Sequence, residues 1–233
     1  MDRVKTGIPG FDPLLKGGFP RGSIILLSGT PATGKTIFSV QYLYNGIVDH
    51  NEPGLFVTFE EKAEKIIEQA SLFGWDLAKL QKNRTLTLMH IAAEDINYNT
   101  VSKIIDTARA VHAKRLVIDN MNILALNVPN IASDFKNIGK HAMKRFVYNF
   151  IAKARSLDDV TTILISQTTN ETALSSDEVS EFLCDGIIHI AYESLGGKYS
   201  RSLLVRKMRQ IENDEDIHPL EIGKKGIVIH TIR

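Results

Sequence analysis

The chain has 233 residues, 28 of them basic and 27 acidic, for a formal charge of +1. That length suits one large domain with a full core, and the near-neutral balance excludes a global attraction to nucleic acid or to an anionic membrane surface. No window approaches the ~18 apolar residues of a membrane span, and the lone Cys184 rules out an internal disulfide or a multi-cysteine zinc site, so a cytoplasmic protein with a buried structural thiol is expected.

Residues 24–27, Ile-Ile-Leu-Leu, form a short apolar run of the kind buried on both faces of a sheet, and the run ends in Ser28-Gly29. From 36 to 48, Ile37, Val40, Leu43, Tyr44 and Ile47 recur at helical spacing. Pro53-Gly54 breaks the chain, and 55–59 reads as a second strand with Glu60 and Glu61 at its end. A charged amphipathic helix over 62–73 stops at Gly74, followed by a helical turn at 77–81 and a strand over 85–91. A helix over 98–112 places Val101, Ile104, Ile105, Ala108 and Val111 on one face, and a strand over 115–118 closes on Asp119. Pro129 interrupts the next segment, before a long helix over 134–156. A buried strand at 161–166 leads into a polar loop over 167–180. Helical alternation then ends, and the runs 186–192, 201–207, 217–222 and 226–232 read as consecutive hairpin-joined strands. The expected fold class is α/β: a mainly parallel sheet flanked by helices, closing in a C-terminal antiparallel strand meander, as one domain over 1–233 without repeat or linker.

The turn between the first strand and the first helix reads Gly29-Thr30-Pro31-Ala32-Thr33-Gly34-Lys35-Thr36, an ungapped G-x-x-x-x-G-K-[ST] motif. Such a loop aims backbone N–H groups and a helix N-terminus at one anion. Lys35 is expected on the β and γ phosphates of a nucleotide, and the Thr36 hydroxyl on Mg²⁺. Asp119, ending a buried strand, is the second candidate for Mg²⁺. Glu60 is a candidate to orient an attacking water; consecutive side chains at a strand end diverge, so Glu61 is expected to face away and to serve as a first-turn residue of the next helix. Gln167 stands where a buried strand delivers an amide to the carboxyl edge of the sheet, a position suited to sensing a γ-phosphate or, more simply, to capping a loop.

Three segments together resemble one branch of the RecA-like P-loop enzymes, the KaiC-like ATPases of archaea and cyanobacteria. One is the lead-in Thr6-Gly7-Ile8-Pro9-Gly10-Phe11-Asp12, continuing through Leu14-Leu15 to Gly17-Gly18-Phe19-Pro20-Arg21-Gly22-Ser23; another is Phe59-Glu60-Glu61; the third is Lys207-Met208-Arg209. The resemblance covers nearly the whole chain. It implies a RecA-like core, ATP with Mg²⁺, paired glutamates supporting hydrolysis, and a homo-oligomeric ring, most often a hexamer. Lys207 and Arg209 stand two apart on an expected strand, so both side chains project to one face and Met208 to the other. The resemblance implies that the pair touches the γ-phosphate held by the adjacent subunit. The chain departs from the family where Lys-x-Arg often continues into Gly-Thr-Ser-His, for here Gln210-Ile211-Glu212-Asn213-Asp214 follow.

A different class of function is a DNA-recombination accessory resembling the RadA paralogues. Loops that hold single strands are basic or aromatic, whereas 168–181 carries Glu171, Asp177, Glu178 and Glu181 and no Lys or Arg. Basic residues do cluster on the long helix, at Lys136, Lys140, His141, Lys144 and Arg145, where a solvated helical face is the simpler reading. Nucleic acid is therefore the disfavoured partner. A nucleotide-binding scaffold with negligible turnover is the third alternative.

Overall fold

The computed structural model describes residues 2–127, 136–168, 173–192 and 200–231, with the side chains of 136–142 outside that description. A two-stranded ribbon, β1 (Arg3–Val4) with β2 (Phe19–Pro20), precedes β3 (Ile24–Gly29). Then come α1 (Lys35–His50), β4 (Gly54–Thr58), α2 (Ala63–Ser71), α3 (Leu77–Lys82), β5 (Leu86–His90), α4 (Thr100–Ala110), β6 (Arg115–Asp119), α5 (Met121–Leu126), α6 (Lys136–Ala154) and β7 (Thr161–Gln167). A one-turn helix α7 (Ser180–Leu183) leads into β8 (Gly186–Tyr192), β9 (Arg201–Met208), β10 (Ile217–Gly223) and β11 (Gly226–Ile229).

Nine of these strands form one sheet in the order β11-β10-β9-β8-β3-β7-β6-β4-β5. From β5 to β8 every neighbour is parallel, and from β8 to β11 every neighbour is antiparallel, so β8 is the seam at which the expected meander joins the expected parallel core. Helices cover both faces, as a parallel sheet requires. The period of two along β3 shows it directly: Ile25 and Leu27 enter the core shared with Phe38 and Tyr42 of α1, whereas Ile24 and Leu26 enter the one shared with Ile104 of α4 and Phe150 of α6. Both cores are closed, with all four β3 residues at most 1 % exposed.

Several boundaries differ from the sequence-based expectation. The strand expected over 226–232 ends at Ile229, and residue 232 lies outside the described residues. The expected polar loop loses Gln167 to β7 and Ser180 to α7, while 169–172 lie outside the description. α5 has no counterpart in the sequence reading, because six residues are too few to display a helical period. β4 stops at Thr58, whose hydroxyl accepts from Glu61 N–H at 3.2 Å and donates to Glu61 C=O at 3.0 Å, so Glu60 and Glu61 occupy a bend rather than a strand end. Arg209 likewise falls just past β9, which ends at Met208.

Candidate functional site

The strands of a parallel sheet all present their carboxyl ends at one edge, and here that edge gathers the loop after β3, the bend after β4, Asp119 and Gln167. Residues 29–36 wrap the start of α1. Gly29 (φ +150°) and Gly34 (φ +107°) take backbone angles closed to most side chains, and a Cβ on Gly29 would stand 2.1 Å from the carbonyl oxygen of Ile190. Ala32 also has positive φ, +63°, and its carbonyl accepts a hydrogen bond from the Tyr192 hydroxyl at 2.8 Å. Gly34 caps α1 without a side chain, leaving the helix's first N–H groups for a ligand. Thr33 is buried, its hydroxyl donating to Thr30 C=O at 3.0 Å; Thr30 and Pro31 form the outer lip of the loop.

Lys35 is buried in the hollow of this loop, where its ammonium donates to the carbonyls of Gly29 (2.9 Å) and Thr30 (2.6 Å). Those acceptors keep the charge within the cradle that the motif assigns to phosphate. The Thr36 hydroxyl donates to Asp119 Oδ2 at 2.8 Å. Ala32, Gly34, Lys35, Thr36, Glu60, Asp119 and Gln167 line one cavity of about 190 Å³. A cation, a hydroxyl, two carboxylates and an amide converging beside a glycine loop fit a nucleoside triphosphate with its magnesium: Lys35 and the loop amides would hold the phosphates, Thr36 and Asp119 the metal.

Burial pushes the Asp119 carboxyl up to about 6, with the nearby Glu60 charge adding to the shift and the Thr36 hydroxyl and Lys35 ammonium opposing it. A cation held by Thr36 and Asp119 would relieve that cost. Glu60 faces the cavity and accepts from Asn120 Nδ2 at 2.9 Å, whereas Glu61 turns away and accepts from Gln69 Nε2 at 2.9 Å. Gln167 is gripped through its backbone: its N–H donates to Asn122 Oδ1 at 3.0 Å and its C=O accepts from Asn122 Nδ2 at 2.9 Å. Asn120 and Asn122 were not singled out from sequence. The available signal was the run Asp119-Asn120-Met121-Asn122, in which Asn120 caps α5 by accepting from Ile123 N–H at 3.1 Å.

Lys207 and Arg209 lie apart from this cavity. Their expected common face is present, but it is turned to α7: Lys207 donates to the carbonyls of Glu181 (3.1 Å) and Cys184 (2.8 Å), and Arg209 to that of Phe182 (2.9 Å). Asp185 lies 3.6 Å from Arg209 as the countercharge. Desolvation and the neighbouring Arg209 charge lower the Lys207 pKa below the ordinary lysine value. Among the described acids of 168–181, Asp177 is buried and accepts from Ser180 N–H at the start of α7, Glu178 pairs with Lys144 at 3.0 Å, and Glu181 accepts from Ser175 at 3.1 Å. Glu171 and the side chains of Lys136, Lys140 and His141 lie outside the described residues. Cys184 is fully buried, and burial raises its thiol pKa strongly. No described helix is long and apolar enough to cross a membrane.

Comparison with known proteins gives the same frame. The chain is 35 % identical to a UPF0273 protein of Methanocaldococcus jannaschii, over 99 % of this chain and 97 % of that one. It is 31 % identical to the circadian clock oscillator protein KaiC of Synechococcus elongatus, over 99 % of this chain but only 44 % of that protein. The crystal structure of a KaiC-like protein from Pyrococcus horikoshii OT3 superposes with a TM-score of 0.85 at 33 % identity, covering 99 % of both chains. The fold is thus the KaiC/RecA-like one. The family described as "ATPase: KaiC" matches residues 4–233, and the chain belongs to that family.

Proposed function

We propose that this protein binds ATP with Mg²⁺, hydrolyses it to ADP and phosphate, and works as a ring, most simply a hexamer, whose nucleotide state controls assembly or the binding of a partner protein. The observation that carries the reading is the Thr36 to Asp119 hydrogen bond of 2.8 Å at the wall of a cavity that Lys35, Glu60 and Gln167 also line. The pair proposed to hold the metal then lies beside the proposed phosphate cradle, in the cavity that the Glu60 carboxylate also faces. Mg²⁺, when bound, supplies neutralisation of phosphate charge. Lys35 and the loop amides orient the phosphates; Glu60 orients a water and takes its proton as the bond to the β-phosphate oxygen breaks; Gln167 reports the γ-phosphate at the sheet edge.

Phosphate release measured with and without Mg²⁺, alongside the mass of the assembly with and without ATP, tests the proposal. Glu60→Gln should keep ATP affinity and lose turnover by about a hundredfold or more. Tight ATP binding without phosphate release by the wild type would reduce the protein to a nucleotide-bound scaffold. Loss of turnover in Glu61→Gln but not in Glu60→Gln would reverse the two roles.

A further inference from the structure

Helix α5 is one turn and a half long, yet its start contacts both groups that face the reacting end of the cavity. Asn120 donates to Glu60 Oε1, and Asn122 grips the backbone N–H and C=O of Gln167. The same Asn122 Nδ2 also donates to Ser176 Oγ at 2.7 Å. Next to Ser176, the Asp177 carboxylate accepts from Val179 N–H (2.8 Å), Ser180 N–H (2.6 Å) and the Ser180 hydroxyl (2.7 Å), and so organises the start of α7. The carbonyls at the far end of α7 are those that hold Lys207 and Arg209. Hydrogen bonds joined by the covalent Ser176-Asp177 link and by the turn of α7 therefore lead from Gln167 to the Lys-x-Arg pair of the same chain.

We infer that Asn120 and Asn122 are positioning residues that set Glu60 and Gln167 from one element, and that Asn122 extends this control through Ser176 and α7 to Lys207 and Arg209. The inference rests on the ATPase reading above. A displacement of Gln167 by a γ-phosphate moves the Oδ1 and Nδ2 of the Asn122 amide together, because both close on the backbone of one residue. Ser176 follows, and the α7 carbonyls that fix the two cations shift with it. In a ring this makes the fingers offered to one neighbour depend on the nucleotide bound at the subunit's own loop, a coupling between successive sites carried by a packed, hydrogen-bonded path.

Two measurements on the full chain test this. Asn122→Ala should lower kcat about tenfold or more, since it releases both the N–H and the C=O of Gln167, while KM for ATP stays within about twofold. Asn122→Asp, which keeps the acceptor for Gln167 N–H and loses both amide donations, should fall between and serves if the alanine variant does not fold. The second measurement is amide hydrogen exchange over 176–184 with a non-hydrolysable ATP analogue and with ADP. The wild type should exchange more slowly with the ATP analogue, and Ser176→Ala, which severs only the relay, should lose that difference while still binding nucleotide. Identical exchange of 176–184 in both states of a wild type that turns over ATP would overturn the relay and leave the ATPase reading standing. Wild-type kcat in Asn122→Ala or Asn122→Asp would overturn the positioning role. A wild type that binds no ATP would overturn both readings together.

Discussion

Arg115 opens β6 with a fully buried guanidinium, and each of its three nitrogens has a defined acceptor. Glu52 Oε2 takes bonds from Nε at 2.8 Å and Nη2 at 2.7 Å, Tyr42 C=O takes one from Nη1 at 2.7 Å, and Lys5 C=O takes one from Nη2 at 2.7 Å. The cation also lies 4.5 Å from the Tyr42 ring centre. It fits because Gly46 leaves α1 bare there: a Cβ would stand 2.1 Å from Arg115 Nε. Gly46→Ala should therefore cost about 3 kcal/mol, by overpacking and by loosening a buried ion pair, and a denaturant midpoint equal to that of the wild type would show that α1 can shift aside. Asp119 sets a pH dependence at the same scale. Its carboxyl is raised from an ordinary 3.8 to about 6, so the folded chain binds this proton more tightly than the unfolded one. In the metal-free protein its ionisation is a fixed penalty above pH ~6, of order 3 kcal/mol, which is relieved as the pH falls through ~6 toward ~4. Asp119→Asn should be the more stable protein at pH 7, with the gap closing by pH 4 in thermal melts; a gap independent of pH would refute the assignment.

At the scale of elements, α7 is four residues long and is held at its ends: Asp177 accepts from the N–H groups of Val179 and Ser180 at one, and Lys207 and Arg209 donate to carbonyls at the other. Lys207→Ala should cost about 1–2 kcal/mol, as two charge-assisted bonds at a half-buried site are lost, and the more exposed Arg209→Ala should cost less; urea melts compare them directly. The sequence made the long elements legible. Ile24 to Leu27 declares a strand buried on both faces, Thr36 to Val48 a helix, and the glycine loop between them a phosphate cradle, because each of these is encoded in a local pattern. Asn122 could not be read this way, since it acts through a peptide on β7 and a hydroxyl beyond it, partners that only the folded sheet brings near. Arg115 escaped for the same reason: a charged residue opening a strand reads as exposed until Gly46, Glu52 and Lys5 are seen to enclose it. The direction of Lys207 and Arg209 was half legible. Their spacing gave a shared face, and only the structure shows that α7 supplies what that face contacts.

At the scale of the whole molecule, Lys35 and the Lys-x-Arg pair lie in separate parts of the subunit, so an arrangement in which one subunit's Arg209 completes another's site makes a sharp prediction. Lys35→Ala should fail to bind ATP, and Arg209→Ala should bind it with near-normal affinity yet hydrolyse it at least about a hundredfold more slowly, as judged by equilibrium binding and phosphate release. Mixing the two inactive variants should restore part of the turnover, because an intact loop from one then meets an intact arginine from the other. A mixture that stays inactive would place Arg209's action within its own subunit. The sheet order carries a consequence for biosynthesis. The strand that launches the phosphate loop is flanked by β7 and β8, with Ile24 in register with Thr162 and Ile25 with Gly186. On the ribosome, therefore, Ile24 to Leu27 waits, apolar on both faces, until β7 and β8 have been translated. Chaperones have a long interval in which to meet it. The strands from β9 onward pair with the strand made just before each of them and can be added as they appear, so the wait falls on β3, the first-made strand of the large sheet.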